Sequence, residues 1–176
     1  MMEFMETLCR RRSCRNYLPG QISEEALQTL LQAACAAPVG MGQYEKMHLT
    51  VVQNAALLVK LNLCTADFLG NPSFQATYGA PTVILVSAAA EELEDVRYCN
   101  AACIVENMHL AATDLGLGSV YLLGCIRALL KAPALQRELG VPEGFVPMSA
   151  LAVGFASQEV RRRELTAERI AVTRMP

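Results

Sequence analysis

The sequence contains little of what nucleic-acid-binding proteins commonly use. Its 176 residues include no tryptophan, only two histidines, 6% aromatic residues and 18% charged residues, and the net charge at pH 7 is −2. Binding of nucleic acid usually requires a clear basic excess, and single strands also need aromatic rings on which bases stack. The composition therefore argues against a nucleic-acid-binding module, although two local arginine clusters keep an anion-binding module open as an alternative.

Signatures of membrane proteins, disulfide-rich proteins and metal sites are also missing. No apolar stretch reaches the roughly 18–20 residues of a membrane span, and the N-terminus, Met1-Met2-Glu3, lacks the positive charge of a secretory signal. The seven cysteines are odd in number and form no CxxC pair, so neither a disulfide framework nor a zinc or iron–sulfur centre is expected. We therefore expect a cytoplasmic protein with reduced cysteines and no metal.

Common catalytic motifs are absent as well. The chain has no GxSxG elbow, no HExxH pair, no P-loop and no recognisable pair of catalytic carboxylates. Gly116-Leu117-Gly118 begins like a dinucleotide fingerprint, but Tyr121 replaces the third glycine and the segment leads from a helix into a strand, the reverse of that motif. His48 and His109 lie in apolar segments and are predicted to be core or surface histidines. Ligand contacts without an evident nucleophile or base are typical of enzymes whose cofactor performs the chemistry.

The content of hydrophobic residues is high, at 53% of the chain. Soluble monomers are usually more polar, so we expect an apolar surface that is covered in an oligomer, most simply a twofold homodimer. The chain has no internal repeats and no linker-like segment, and its length suits one core. Residues 1–176 are therefore predicted to form a single domain.

Hydrophobic periodicity and capping residues predict an α+β protein. Ser23 and Asn54 each precede a segment with apolar residues at helical spacing, and Pro81 precedes the apolar run 82–86, which is typical of a buried strand. The helix expected over 96–115 is apolar around most of its circumference and should be central. In chain order, helices are predicted over 3–9, 23–38, 54–68, 96–115 and 126–139, the last interrupted by Pro133, and strands over 48–52, 82–86, 120–123, 147–155 and 168–174.

Two clusters of arginine lie near opposite ends of the chain. Four arginines and one serine fall within residues 10–15, and three more arginines follow at 161–163. Guanidinium groups carry fixed charge and forked donors that match phosphate oxygens. A solvated basic loop would explain either cluster by itself. In a chain of net negative charge, the two clusters favour a shared anionic ligand, such as a phosphate that both contact.

Four blocks of sequence carry a resemblance to a known family. In chain order they are Arg11-Arg12-Ser13-Cys14-Arg15, then Ala33-Ala34-Cys35-Ala36-Ala37-Pro38 with a glycine-bearing loop after it, then Ala111-Ala112-Thr113-Asp114-Leu115-Gly116-Leu117-Gly118-Ser119, and last Val153-Gly154-Phe155-Ala156 followed by arginines. Together they resemble the signatures of the nitroreductase family, in the family's order and over nearly the whole chain.

The resemblance implies a nitroreductase-like three-layer sandwich, in which a mainly antiparallel sheet lies between helices. It also implies that residues 168–174 add a strand to the sheet of a second subunit, and that FMN binds noncovalently at the interface of a homodimer. Such an FMN-dependent oxidoreductase passes a hydride from NADH or NADPH through flavin N5 to a nitroaromatic, a quinone or another small electrophile by a ping-pong mechanism. The alternatives are a specialised member, such as a reductive dehalogenase, and a non-catalytic flavin-binding carrier or redox sensor.

The resemblance further assigns flavin-binding roles to individual residues, and it implies no essential acid or base. These residues are Arg11, Arg12, Ser13 and Arg15 for the phosphate, ribityl chain and pyrimidine edge; Arg161 and Arg163 for the phosphate; Val39, Gly40 and Met41 against the flavin; Leu122, Leu123 and Gly124 beside N5; and Asn71 on the pyrimidine side. Segment 38–46 departs from the family pattern Pro-Ser-x-x-Asn-x-Gln-Pro-Trp because it lacks the serine, asparagine and tryptophan. Contacts to the flavin or the substrate are expected to differ there.

Overall fold

The computed structural model describes residues 2–159 and 161–175. Its helices are α1 (Phe4–Arg10), α2 (Glu24–Cys35), α3 (Ala55–Leu69), α4 (Glu94–Asp114), α5 (Gly124–Leu129) and α6 (Pro133–Glu138). Its strands are β1 (Met47–Val52), β2 (Thr82–Ala89), β3 (Gly118–Leu122) and β4 (Phe145–Gly154). Short 3₁₀ turns occupy Gly40–Gly42, Tyr44–Lys46 and Ala167–Arg169. Within the described residues, no helix combines the length and the hydropathy that crossing a membrane requires.

Local sequence signals set the boundaries of α2 and α3. The Oγ of Ser23 accepts a hydrogen bond from the N–H three residues later (3.1 Å), and the Oδ1 of Asn54 accepts from the N–H groups two and three residues later (2.9 and 3.2 Å). Both are N-caps, which satisfy backbone donors that the first helical turn leaves unpaired. Gly70 follows α3 with a φ of +63°, a conformation that glycine adopts without steric cost. The predicted beginnings of both helices are confirmed.

The four strands form an antiparallel sheet in the order β1-β2-β4-β3. β2 and β4 occupy its centre, with Thr82 opposite Val153 and Leu85 opposite Ala150. Every residue of β2 is buried, whereas β1 and β3 form the two edges. The predicted antiparallel sheet is confirmed.

Side chains of β2 alternate between two cores on opposite faces of the sheet. Ile84 and Val86 belong to a core that includes residues of α2 and α4, whereas Val83 and Leu85 belong to a core that includes residues of α3 and α5. Because helices cover both faces, the strand is a continuous apolar run and not a hydrophobic–polar alternation. The arrangement is the expected three-layer sandwich of helices, sheet and helices.

The central helix α4, at 21 residues, presents one side to the core and another to solvent. Its buried residues include Ile104, Val105 and Met108, which pack in the core shared with α2. Besides the charged residues Glu94, Asp95 and Glu106, the exposed residues of this helix are Tyr98, Cys99, Ala102 and Cys103. Since they recur at spacings of three and four, they form one stripe along the helix, here called the α4 outer face.

The predicted helix over 126–139 is divided at Pro133, as expected. Pro133 is the first residue of α6, a position where the missing N–H leaves no helical hydrogen bond unmade. The result is two short helices, α5 and α6, in place of one long helix.

The strand predicted over 168–174 does not form within the chain. The segment begins in the 3₁₀ turn Ala167–Arg169, and the side chains of Ile170 and Val172 are 78% and 71% exposed. A strand gains its stability from neighbouring strands, and no strand in the described part of this chain pairs with the segment. The strand expected from the alternation is therefore not formed within the single chain, and the addition of this segment to the sheet of a second subunit stays a prediction.

Gly154, at the end of β4, has no room for a side chain. A Cβ at this position would lie 2.7 Å from Cδ of Pro81 and 3.1 Å from a ring carbon of Tyr17. Because the proline ring moves only with its backbone, we expect Gly154→Ala to lower the free energy of unfolding by about 1–3 kcal/mol, as measured by urea denaturation. Gly124→Ala is the matched control, since a Cβ there would meet no atom within 4 Å. Equal losses in both variants would contradict the steric explanation.

Candidate functional site

The two arginine clusters meet in space although they lie near opposite ends of the chain. The Nε of Arg12 donates to the carbonyl oxygen of Arg161 (3.4 Å) across 149 positions of sequence. The N–H of Arg163 donates to the carbonyl oxygen of Cys9 (3.0 Å), and its Nε donates to that of Leu8 (3.3 Å). Hydrogen bonds to the backbone therefore hold the C-terminal segment against the end of α1.

A cleft of about 450 Å³ lies between the clusters and is here called the arginine cleft. Its lining consists of residues 12–16, residues 156–159 and Arg161. One wall is fixed to the sheet, because Ser13 forms a parallel bridge with Ser119 of β3 and the Cys14 N–H donates to the Ser119 carbonyl oxygen (2.9 Å). The cleft is thus built on the edge of the sheet.

Gly116 and Gly118, which do not belong to a dinucleotide fingerprint, shape this edge. Gly116 follows α4 with a φ of +74°, which favours glycine. A Cβ on Gly118 would lie 2.7 Å from the Cys14 Sγ and 3.0 Å from the Ala156 Cβ. The absence of a side chain at Gly118 therefore lets the two walls of the cleft approach β3 closely.

Some arginines of the clusters are engaged outside the cleft. Glu6 of α1 accepts hydrogen bonds from the Nε of Arg10 (2.7 Å) and the Nε of Arg162 (3.0 Å). These two guanidinium groups hold the pKa of Glu6 below its usual value. Glu6 therefore ties α1 to the C-terminal segment, and neither of its partners lines the cleft.

The arginines that line the cleft remain without an acidic partner in the described part of the chain. Arg11 turns toward α4, where its Nε lies 3.8 Å from Glu106. Within the described residues, no carboxylate lies within 4.0 Å of a guanidinium nitrogen of Arg12, Arg15 or Arg161. Three fixed positive charges around one cleft, against the single carboxylate of Glu159 in its lining, favour an anion with several oxygen atoms.

Arg163 lies behind the cleft and adds to its positive potential. Burial lowers the pKa of the Arg163 guanidinium, and the charges of Arg11, Arg169 and Arg12 lower it further. Like charges at this proximity destabilise one another, and a bound anion relieves the repulsion.

A buried histidine links α4 to the cleft. The His109 side chain is 2% exposed; its Nε2 lies 3.4 Å from the carbonyl oxygen of Arg12, and its Nδ1 lies 3.5 Å from Glu106. Hydrogen bonding to His109, followed by the charges of Arg11 and Arg163, lowers the pKa of Glu106. Sequence reasoning predicted a core or surface histidine at His109 and missed this link. The spacing of Glu106 and His109, three residues apart on one helix, was the available signal.

The predicted segment 122–124 lies at the other end of β3. Leu122 is buried, whereas Leu123 and Gly124 are exposed at the start of α5. Four residues separate Ser119, beside the arginine cleft, from Leu123, which corresponds to about 13 Å along a strand. A ligand that contacts both ends must therefore be elongated.

The predicted loop residues Val39, Gly40 and Met41 do not line the arginine cleft. The Gly40 N–H donates to the Oδ1 of Asn100 (2.9 Å), nine residues before His109 on α4, which corresponds to about 13 Å of helix. Met41 is 85% exposed and has a φ of +54°, in the left-handed region. Gly40 and Met41 are thus presented outward, away from the site of their own chain, whereas Val39 is buried in the core that includes residues of α2 and α4.

Asn71 also lies outside the cleft, and its side-chain oxygen is used locally. It accepts from the N–H and the hydroxyl group of Ser73 (3.3 and 2.9 Å), which closes a turn. Among the sequence-predicted residues, the cleft brings together Arg12, Ser13, Arg15 and Arg161. It also contains residues that sequence reasoning missed, which are Asn16, Ser157, Gln158 and Glu159. The polar run directly after the block 153–156 was a signal for the last three.

Comparison with known proteins gives a consistent result. The family model described as Nitroreductase family matches residues 8–155. A relative from Archaeoglobus fulgidus, which bears the name NADH dehydrogenase/NAD(P)H nitroreductase, is 32% identical over 167 residues, covering 90% of this chain and 88% of its own.

Solved structures are similar over almost the full length. A nitroreductase with bound FMN from Bacteroides fragilis is 29% identical, with a TM-score of 0.83, and the match covers 99% of this chain and 100% of that one. A nitroreductase with bound FMN from Desulfitobacterium hafniense has a TM-score of 0.85 at 24% identity, with coverage of 99% and 100%. The second likeness supports the fold.

The arginine cleft is expected to bind phosphate oxygens in solution. Inorganic pyrophosphate added to flavin-free protein should raise the thermal unfolding midpoint, because ligands that bind only the folded state stabilise it. Arg12→Ala and Arg161→Ala should each remove most of this rise. Arg137→Ala, an exposed arginine of α6 outside the cleft, should respond like the unaltered protein. An unchanged rise in the two cleft variants would contradict the site.

Proposed function

Since the chain belongs to the nitroreductase family of FMN-dependent oxidoreductases, we propose that it uses bound FMN, through the flavin N5 atom, to pass a hydride from NADH or NADPH to a nitroaromatic, a quinone or another small electrophile in a ping-pong cycle. The observation that carries the proposal is the arginine cleft, in which three guanidinium groups have no carboxylate partner among the described residues. These groups fit a phosphate dianion, and the cleft volume suits a ligand of moderate size.

Different residues of the arginine cleft are assigned to different parts of FMN. Arg12 and Arg161 are assigned to the phosphate, because one comes from each end of the chain and they touch each other across the cleft. The exposed Ser13 hydroxyl is available as a further donor, and Arg15 is assigned to the pyrimidine edge. Arg11 and Arg163 do not line the cleft, since Arg11 pairs with Glu106 and Arg163 donates to a backbone oxygen. They are assigned a long-range electrostatic attraction for the phosphate.

Leu123 and Gly124 are assigned to the reactive edge of the flavin. Gly124 is the first residue of α5, so its N–H lies outside the hydrogen bonding of that helix and is available to a ligand. A Cβ there would meet no atom within 4 Å, which leaves open space for a flat ring. This backbone donor is proposed to orient N5, and no side chain is required as acid or base.

A homodimer is proposed because one chain does not assemble the whole site. The loop with Val39, Gly40 and Met41 lies about 13 Å along α4 from the arginine cleft of its own chain. The outward position of Gly40 and Met41 suits the flavin site of a second copy. The α4 outer face, with Tyr98, Cys99, Ala102 and Cys103, is the surface proposed to be covered by that copy.

The C-terminal segment 168–174 is proposed to pair with β1 of the partner. At the β3 edge, Ser13 already bridges Ser119, whereas in the described residues β1 pairs with β2 alone. An exposed edge strand offers unpaired backbone groups to another chain. The exposed Ile170 and Val172 have the two-residue spacing that one face of a strand requires.

The visible absorption spectrum of the purified protein tests the cofactor. We expect a flavin spectrum and release of one FMN per chain on denaturation, and we expect Arg12→Ala and Arg161→Ala to be purified largely without flavin. Arg137→Ala should retain it. A colourless protein that also fails to bind added FMN would remove the enzymatic proposal. Bound FMN without oxidation of NADH or NADPH in the presence of a nitroaromatic or a quinone would identify a flavin carrier or sensor.

Removal of residues 168–176 tests the exchanged strand. We expect the shortened chain to be monomeric or aggregated in size-exclusion chromatography with light scattering. Without the exchanged strand, β1 would have no partner strand, and the α4 outer face would no longer be covered by the second copy. Removal of residues 175–176 alone is the control and should leave a dimer. A stable dimer that lacks residues 168–176 would exclude the exchange.

A further inference from the structure

We propose that Tyr78 is a positioning residue that holds the Arg15 guanidinium at the arginine cleft and thereby strengthens FMN binding. This inference rests on the proposed function, in which Arg15 contacts the flavin. Sequence analysis assigned no role to Tyr78, and Tyr78 is not among the residues that line the cleft. Its action is therefore exerted through Arg15.

The geometry brings the two side chains together directly. The Cζ of Arg15 lies 5.8 Å from the centroid of the Tyr78 ring, over its face. A guanidinium within about 6 Å of an aromatic face is attracted by the ring quadrupole. Arg15 is exposed and has several rotatable bonds, so its free side chain would adopt many rotamers. Contact with the ring restricts these rotamers before a ligand arrives, which reduces the entropy that binding must offset.

The backbone of Tyr78 indicates that its ring is needed at this place. Its φ is +54°, a left-handed conformation that is uncommon for a bulky residue and easier for glycine or asparagine. A strained backbone of this kind persists only where the surroundings impose it. Tyrosine is a poor residue for the conformation; its ring packs against the core that includes residues of α3 and α5 and also contacts Arg15, and neither contact could be made by asparagine or glycine.

The surroundings do impose the conformation. The Tyr78 N–H donates to the carbonyl oxygen of Gln75 (3.1 Å) within a turn. The adjacent Thr77 is buried; its N–H donates to the Oδ1 of Asn62 (2.9 Å), and its Oγ1 accepts from the Nδ2 of Asn62 (3.1 Å). Asn62 belongs to α3, so the turn that carries Tyr78 is anchored to a helix. The ring is therefore presented to Arg15 from a rigid support.

A second tyrosine restrains Arg15 from its backbone side. The Tyr17 hydroxyl donates to the carbonyl oxygen of Cys14 (2.9 Å), the residue directly before Arg15. Burial raises the pKa of the Tyr17 hydroxyl, which keeps it a donor, while the Arg15 and Tyr78 side chains are both near enough to influence it. Tyr17 thus fixes the backbone that carries Arg15, and Tyr78 fixes its charged end.

A double-mutant cycle on FMN affinity tests the inference. The variants are Tyr78→Asn, which suits the left-handed backbone and removes the ring, Arg15→Ala, and the double variant. FMN binding to flavin-free full-length protein is measured by quenching of flavin fluorescence. We expect Tyr78→Asn to weaken binding about two- to fivefold, the effect of an exposed cation–π contact. In the Arg15→Ala background, the same substitution should have no further effect.

Tyr78→Phe is the matched control, because it keeps the ring and should bind FMN like the unaltered protein. If Tyr78→Asn does not fold, Tyr78→Leu, which keeps apolar volume without a ring face, takes its place with the same expectation. An equal loss on removing the ring with and without Arg15 would show a merely structural role and overturn the inference. Unchanged affinity in Tyr78→Asn alone would also overturn it. Unchanged affinity in Arg15→Ala would instead refute the flavin-contacting role of Arg15 within the proposed function.

Discussion

Repulsion among guanidinium groups is the physical constraint on which the site depends. Burial lowers the pKa of Arg163, and the charges of Arg11, Arg169 and Arg12 lower it further, although Arg11 and Arg12 come from the opposite end of the chain. The fold tolerates this because α4 places Glu106 against Arg11 and because the C-terminal segment is held to α1 through backbone oxygen atoms. The negative charge that is still missing is supplied, in the proposed function, by the phosphate of FMN. The ligand thus completes an electrostatic arrangement that protein groups begin.

The sheet makes that arrangement possible by providing a rigid edge. Its central strands are covered by helices on both faces, so the positions of their ends are set by two cores. Gly118 and Gly154 then permit the segment before α2 to lie directly on β3 and on the end of β4. Helix α4 connects the two proposed halves of the site, since His109 contacts the backbone of Arg12 and Asn100 accepts a hydrogen bond from the loop at Gly40.

The parts that could be predicted from sequence are those set by neighbouring residues. Ser23 and Asn54 cap helices through contacts within three residues, and the apolar run of β2 follows from burial on two faces. The contact between the two arginine clusters could be predicted only from charge, because both clusters were expected to bind the same anion. The pairing of Arg11 with Glu106 depends on tertiary packing, and no local pattern indicated it. The segment 168–174 has the alternation of a strand, but alternation does not specify which chain supplies its partner.

The cleft can form only late in synthesis, because its two walls come from opposite ends of the chain. Residues 12–16 leave the ribosome early. The strand β4 and Arg161, which complete the sheet and the cleft, are synthesised more than 100 residues later. In the proposed function, flavin binding is therefore a late step of maturation, after most residues of the hydrophobic core have been synthesised. A chain cut before Arg161 by a protease would lack one of the two arginines assigned to the phosphate. Bound flavin would therefore mark chains whose two arginine clusters have come together.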